Sequence, residues 1–265
     1  MITRVITAII ALVVFIPIMI IGGIAMQIFI SIMAVLGVFE LFRMRGLEVR
    51  SLEGAFAILG AFFLVFPLHE YFGVLPTDGN WLLFFVTVLG CLAMVVISKN
   101  TYTFEDAGFP VLVSLYVGVG FQYLVKARLH NVYALFLALL IVWATDIGAY
   151  MVGRKYGKHK LAPDISPNKT IEGSVGGVVS AVIVVMIFLF FFPARETFDL
   201  SFVYIAIMSV VFSIAAQFGD LVESAFKRYY NVKDSGKLLP GHGGILDRFD
   251  SLLFVFPLMH LFGIF

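Results

Sequence analysis

Apolar residues fill this chain in long blocks, and polar residues are confined to the gaps between them. Crossing a hydrocarbon core of about 30 Å takes roughly 20 such residues in a helix. Nine blocks approach that length: residues 5–21, 24–42, 52–68, 81–97, 109–125, 132–152, 171–192, 202–226 and 245–265. The first two are parted only by Gly22-Gly23. One continuous helix through both would be about twice the membrane thickness at about 1.5 Å per residue, so a tight hairpin is predicted at the glycines. Met1 to Arg4 followed by an apolar run resembles a signal sequence, but the run continues past signal-peptide length and reads as a retained first span.

The expected fold class is therefore all-α: a polytopic integral membrane protein of about nine transmembrane helices. Composition agrees, with 61% hydrophobic and 13% charged residues and a mean hydropathy of +1.04, which excludes a soluble domain. The single cysteine, Cys91, lies inside an apolar run and has no partner for an intrachain disulfide, so a packing role is expected.

The net charge of +1 carries no signal as a total, but its distribution does. Nine crossings put fifteen of the 18 Lys and Arg on the side of the N-terminus, leaving only Lys126, Arg128 and Arg195 opposite. By the positive-inside rule the N-terminus and the polar loops 153–170 and 227–244 are expected in the cytoplasm, with the C-terminus outside. Residues 1–130, about five spans, read as a packing or subunit-interface region, so a homodimer is expected. Residues 131–265, with both long polar loops, read as the region that carries the chemistry, around a polar cavity open to the cytoplasm.

Several carboxylates sit where a membrane helix is costly to charge. Asp146 lies within IVWATDIGAY, and Asp220 and Glu223 lie within AAQFGDLVESAFKR. An ionised carboxylate there costs about 2.5–3.5 kcal/mol on insertion scales, so partners or a water-filled cavity are expected. Helices that ended early would leave these acids merely solvated, but apolar residues continue on both sides of Asp146 and Asp220. Asp220, Glu223, Ser224 and Lys227 follow i, i+3, i+4, i+7 spacing and share one helical face. Asp247, Asp250 and Ser251 are similarly spaced at the start of the last block, with Arg248 beside them.

Carboxylate oxygens are hard ligands and suit Mg²⁺ bridged to substrate phosphates; histidine and thiolate are too scarce for zinc. Between the two acidic helix ends, Pro240-Gly241-His242-Gly243-Gly244 is a turn leading into a helix N-terminus, a natural anion site, with Lys227, Arg228, Lys233 and Lys237 on its approach. A plain loop with inside-positive lysines has the same look; the flanking carboxylates favour the anion site. In the other polar loop, Ser166-Pro167-Asn168-Lys169-Thr170 offers Lys169 as a candidate phosphate contact, and Gly173, Gly176 and Gly177 allow close approach of a helix or a ligand. No P-loop or dinucleotide fingerprint is present.

The run Ser224, Lys227-Arg228, Lys233-Asp234, Gly236, Pro240, His242-Gly243-Gly244, Asp247-Arg248 and Asp250 resembles the signature of the phosphatidate cytidylyltransferases, also called CDP-diacylglycerol synthases. Asp146 with Gly148, Gly153 and Gly157, the stretch Ser166 to Thr170 with Glu172-Gly173, and Gln217-Gly219-Asp220 resemble upstream elements of that family. The resemblance implies transfer of CMP from CTP to phosphatidic acid, with Mg²⁺ as cofactor and Mn²⁺ as a substitute. It implies Asp220 and Asp247 as metal ligands, with Asp146 and Asp250 in or next to that shell. Lys169, Lys227 and Arg228 would hold phosphates, with Thr170, Ser224, Lys233, Lys237 and Arg248 around the substrate. The His242-Gly243-Gly244 turn would lie against the nucleotide, His242 positioning and hydrogen bonding without serving as a base.

The partners so implied are CTP, phosphatidic acid and membrane lipids, with no nucleic acid, and the location is a bacterial cytoplasmic membrane. A CTP-dependent kinase of a polyprenol or other lipid alcohol stays open as an alternative, as does an ion-coupled transporter using Asp146 and Asp220.

Overall fold

The computed structural model describes residues 2–241 and 243–265, with side chains at residues 6, 7 and 9 onward. Helices α1 (Ile2–Ile21), α2 (Gly23–Arg45), α3 (Leu52–Val65), α4 (Leu68–Tyr71), α5 (Gly79–Ile97), α6 (Phe104–His130) and α7 (Val132–Tyr156) lead to strands β1 (Lys160–Ala162) and β2 (Ser166–Thr170). Helices α8 (Ile171–Phe191), α9 (Ala194–Phe198), α10 (Phe202–Tyr229) and α11 (Leu246–Leu261) complete the chain.

Every predicted apolar block is occupied by a helix, and among the described residues six helices are long and apolar enough to cross a membrane. These are α2, α5, α6, α7, α8 and α10, and they make this an integral membrane protein. α3 and α11, with 14 and 16 residues, fall short of the roughly 20 needed for a perpendicular crossing. The polar loop 153–170 contains a hairpin that its composition does not announce: β1 and β2 pair antiparallel, with Lys160 opposite Thr170 and Ala162 opposite Ser166.

Local chemistry sets the element ends. Ser51, Asn131, Thr170 and Ser201 cap α3, α7, α8 and α10, each side chain accepting a hydrogen bond from a backbone N–H of the first turn. Gly22 and Gly23 take positive φ of 70° and 61°. The rings of Phe15 and Phe29, equidistant in sequence from this break, lie 6.4 Å apart, which a straight helix forbids and the predicted hairpin requires.

The chain forms two compact units, Met1–Val125 with Asp234–Asp247, and Lys126–Lys233 with Arg248–Phe265. In the first unit the core is apolar: Met26, Ile30 and Phe42 of α2, Leu64 of α3 and Phe121 of α6 are fully buried. Cys91 is buried there as a packing residue. Two polar side chains of this unit tie its segments together: Asn80 donates to the carbonyls of Phe63 and Phe66 where α3 ends, and the Tyr71 hydroxyl donates to Gln27.

In the second unit α7 and α8 pack along a seam of small residues. A Cβ on Gly176 would penetrate the Val152 side chain, and one on Gly177 would lie 2.8 Å from the Thr145 carbonyl oxygen. Lipid offers no hydrophobic drive between helices, so close backbone approach at such residues is what holds the pair. Thr145 of α7 and Ser213 of α10, both fully buried, share a hydrogen bond of 2.7 Å.

Candidate active site

The second unit contains a cavity of about 490 Å³ whose walls include Asp146 and Tyr150 from α7, Asn168 and Lys169 from β2, Ser174 from α8, and Gln217 and Asp220 from α10. Asp220 is gripped from two sides. Its Oδ2 lies 2.5 Å from Lys169 Nζ, and its Oδ1 accepts a hydrogen bond of 3.2 Å from Ser224 Oγ one turn later. Lys169 reaches it because β2 runs directly into α8: Thr170 caps that helix by accepting from Gly173 N at 3.1 Å, fixing the residue before it. Thr170 is buried by this capping role.

The tip of the hairpin is tied down as well. Arg228 Nε donates to the Ile165 carbonyl at 3.1 Å, and Lys160 Nζ donates to the Pro167 carbonyl at 2.6 Å. At the hairpin base Glu172 accepts from the Lys158 and His159 amides and pairs with the His159 ring at 2.6 Å. Arg228, expected at a phosphate, thus has a structural task through Nε, while its remaining guanidinium donors are not committed by that bond.

The predicted polar face of α10 exists. Lys227 Nζ donates to Glu223 Oε2 at 2.5 Å, and Glu223 is fully buried, so Lys227 neutralises a carboxylate inside the protein. On α11, Asp250 lies within electrostatic reach of Asp220, Lys227 and Asp146. Gly219 makes that approach possible: a Cβ there would stand 2.7 Å from the Asp250 carbonyl oxygen and 3.0 Å from Ser251 Cα. Asp146, Asp220 and Asp250, three of the four expected metal ligands, therefore gather in one unit, with Lys169, Lys227 and Arg248 supplying positive charge around them.

The glycine-rich turn belongs to the first unit. Leu239 N donates to the Gly243 carbonyl at 2.9 Å, and Gly241 and Gly243 take φ of 77° and 82°, a conformation side chains resist. The backbone donors that the sequence assigns to an anion do hold anions here, and these are the protein's own. Asp247 Oδ2 accepts from Gly244 N and from Ser235 N, and lies as close to the Ser235 hydroxyl, each at 2.8 Å. Glu40, in α2, accepts from Ile245 N at 2.8 Å and Leu246 N at 2.9 Å. Lys233, in the second unit, and Lys237, in the first, are exposed. His242 lies outside the described residues.

Glu40 escaped the sequence reading because a single carboxylate three residues before Arg43 looks like an ordinary helix end. Its signal was present nonetheless, since an acid within an apolar block demands a partner.

Comparison with known proteins identifies the family. Residues 2–265 match the cytidylyltransferase family. The phosphatidate cytidylyltransferase of Staphylococcus haemolyticus (strain JCSC1435) is 43% identical over 258 residues, 97% of each chain. That of Staphylococcus aureus (strain COL) is 42% identical over 260 residues, again 97% of each. The chain belongs to the cytidylyltransferase family.

Proposed function

We propose that this protein transfers CMP from CTP to phosphatidic acid, giving CDP-diacylglycerol and pyrophosphate for phospholipid biosynthesis. The observation that carries this reading is the Lys169–Asp220 pair in a cavity shared with Asp146, within a member of the cytidylyltransferase family. A phosphate oxygen of the lipid attacks the α-phosphorus of CTP; the bond from that phosphorus to the bridging oxygen breaks, and pyrophosphate leaves. The attacking oxygen is already ionised near neutral pH, so no general base is needed and the protein's work is positioning and charge neutralisation. Lys169, Lys227 and Arg228 are the proposed phosphate contacts, with Ser224 holding Asp220 in place and Thr170 holding Lys169.

The donor set fits a divalent hard cation. Among the described residues no three His, Cys, Asp or Glu side chains are close enough for an all-protein metal cage. Mg²⁺ commonly takes one or two carboxylates and completes its shell with water and substrate phosphates. Asp220 would hold it, with Asp146 and Asp250 beside that shell as neighbours that hydrating water can bridge; Mn²⁺ would substitute. The ion would offset charge on the triphosphate. For Asp247 the family resemblance supports a metal role, and its bonds to Ser235 and Gly244 support a second, as an organiser of the turn.

The excess of Lys and Arg on one side of the predicted topology supports a cytoplasmic N-terminus and active site, where CTP is supplied, with the C-terminus outside a bacterial cytoplasmic membrane. Phosphatidic acid keeps its acyl chains in the bilayer and presents its headgroup to the cavity. A homodimer formed through residues 1–130 completes the proposal.

The test is purified protein with Mg²⁺, labelled CTP and phosphatidic acid. CDP-lipid and pyrophosphate in equal amounts are expected. Release of CDP with phosphorylation of a lipid alcohol would assign a kinase instead, and absence of any turnover would sink the enzymatic reading.

A further inference from the structure

We propose that Glu40 is a positioning residue for the glycine-rich turn: a carboxylate from α2 that clasps residues 235–246 and so holds Gly243, Gly244 and Asp247 in their working arrangement. The inference rests on the function proposed above and goes beyond it, to a residue remote in sequence from the signature.

The clasp uses both carboxylate oxygens. Oε1 accepts from Ile245 N at 2.8 Å; Oε2 accepts from Leu246 N at 2.9 Å and lies 2.9 Å from Ser235 Oγ, whose single proton it shares with Asp247. Glu40 is 4% exposed, so these bonds are sheltered from competing water. Two consecutive amides at the start of α11 face one carboxylate, which satisfies donors the helix leaves open and sets a negative charge at the positive end of its dipole. The backbone has been cleared for it: a Cβ on Gly236 would lie 2.5 Å from Oε1, and one on Gly244 would overlap the carboxylate. Neither position tolerates a side chain while Glu40 is in place.

Ser235 extends the clasp to Asp247. Its hydroxyl lies 2.9 Å from Glu40 and 2.8 Å from Asp247 Oδ2, and its amide donates to the same Asp247 oxygen. The turn is thereby pinned at both ends, by Glu40 at Ile245 and Leu246 and by Asp247 at Ser235 and Gly244. A helix cap with a purely local task would need neither the hydroxyl bridge nor the cleared backbone at Gly236.

Glu40→Gln tests this because an amide cannot reproduce the contacts: its oxygen can serve Ile245 N, but its NH₂ then faces the Leu246 amide, which can only donate. Two readouts are needed. Trypsin cleavage after Lys237, an exposed residue inside the clasped segment, is expected to accelerate about tenfold or more in the folded, detergent-purified protein, while its thermal transition persists. The KM for CTP is expected to rise about tenfold or more, with the KM for phosphatidic acid unchanged. Ser235→Ala, which removes the hydroxyl between Glu40 and Asp247 and leaves the helix cap, is expected to give smaller shifts in the same two quantities and serves if Glu40→Gln does not fold.

Unchanged cleavage at Lys237 in both variants overturns the clasp. Faster cleavage with an unchanged KM for CTP overturns the positioning role, as does a uniform loss of active enzyme with wild-type KM values. If the wild-type protein makes no CDP-lipid, the functional reading fails, and the trypsin arm alone then decides whether Glu40 holds the turn.

Discussion

Lys169 Nζ lies 2.5 Å from Asp220 Oδ2, joining a hairpin strand to the last third of a 28-residue membrane helix. A half-buried carboxylate in an apolar helix needs a counter-charge, and a lysine on a short hairpin can supply one and still be exchanged for another partner. The pair therefore has a resting partnership that substrate phosphates can redistribute: Lys169 toward the phosphate, Asp220 toward the cation that accompanies it.

From this pairing, Lys169→Met and Asp220→Asn are each expected to lower kcat/KM by about 10²–10³-fold, the loss typical of removing one preorganised charge from a reaction site. The double variant should be little worse than the poorer single one, because the residues act as a unit. Steady-state kinetics on purified protein checks both statements; multiplicative losses would mean that the two residues work independently.

Gly219→Ala should destabilise the second unit by about 1–3 kcal/mol, the usual cost of inserting a methyl into packed backbone. The clashing atoms are the Asp250 carbonyl oxygen at 2.7 Å and Ser251 Cα at 3.0 Å, neither of which can swing aside. Thermal unfolding in detergent should show a lower midpoint, and turnover should fall with it since Asp250 shifts. A midpoint equal to wild type contradicts this close approach of α10 and α11.

Removing divalent cations with a chelator is expected to abolish turnover while leaving the thermal midpoint nearly unchanged, with Mg²⁺ or Mn²⁺ restoring activity. The reasoning is that the carboxylates of the second unit have internal partners without metal: Asp220 has Lys169 and Ser224, and Asp250 has Lys227 within electrostatic reach. Folding therefore does not depend on the ion. A fall of many degrees on chelation would instead identify a structural metal.

The sequence makes half of this site legible and hides the rest for physical reasons. Asp220, Ser224 and Lys227 announce themselves because helical spacing puts them on one face of an otherwise apolar segment, and that face carries the contacts seen. The hairpin did not, since three and five residues are too few to display alternation and Pro167 within β2 reads as a loop signal. Glu40 is hidden by distance: its bond to Ser235 spans 195 residues, and no local pattern encodes a partner so far along the chain. The turn at Gly241 and Gly243 was readable as a turn, but which anion its donors hold was not, because that is decided by Glu40 and Asp247 in the folded protein.

The Glu223–Lys227 pair separates structural from chemical roles of a lysine the signature makes prominent. Glu223 is fully buried and Lys227 Nζ lies 2.5 Å from its Oε2, with the lysine side chain 16% exposed. Lys227→Met leaves that carboxylate inside the protein without its ammonium, and should cost about 3–5 kcal/mol of stability, read as a lowered thermal midpoint or loss of folded protein. Replacing both residues with methionine removes the stranded charge and should return much of that stability. Activity must then be read in the stable double variant. If Lys227 also contacts substrate phosphate, the double variant folds and remains impaired by about tenfold or more in kcat/KM. If its task is only to neutralise Glu223, the double variant regains turnover along with its fold, and the phosphate role passes to Lys169 and Arg228.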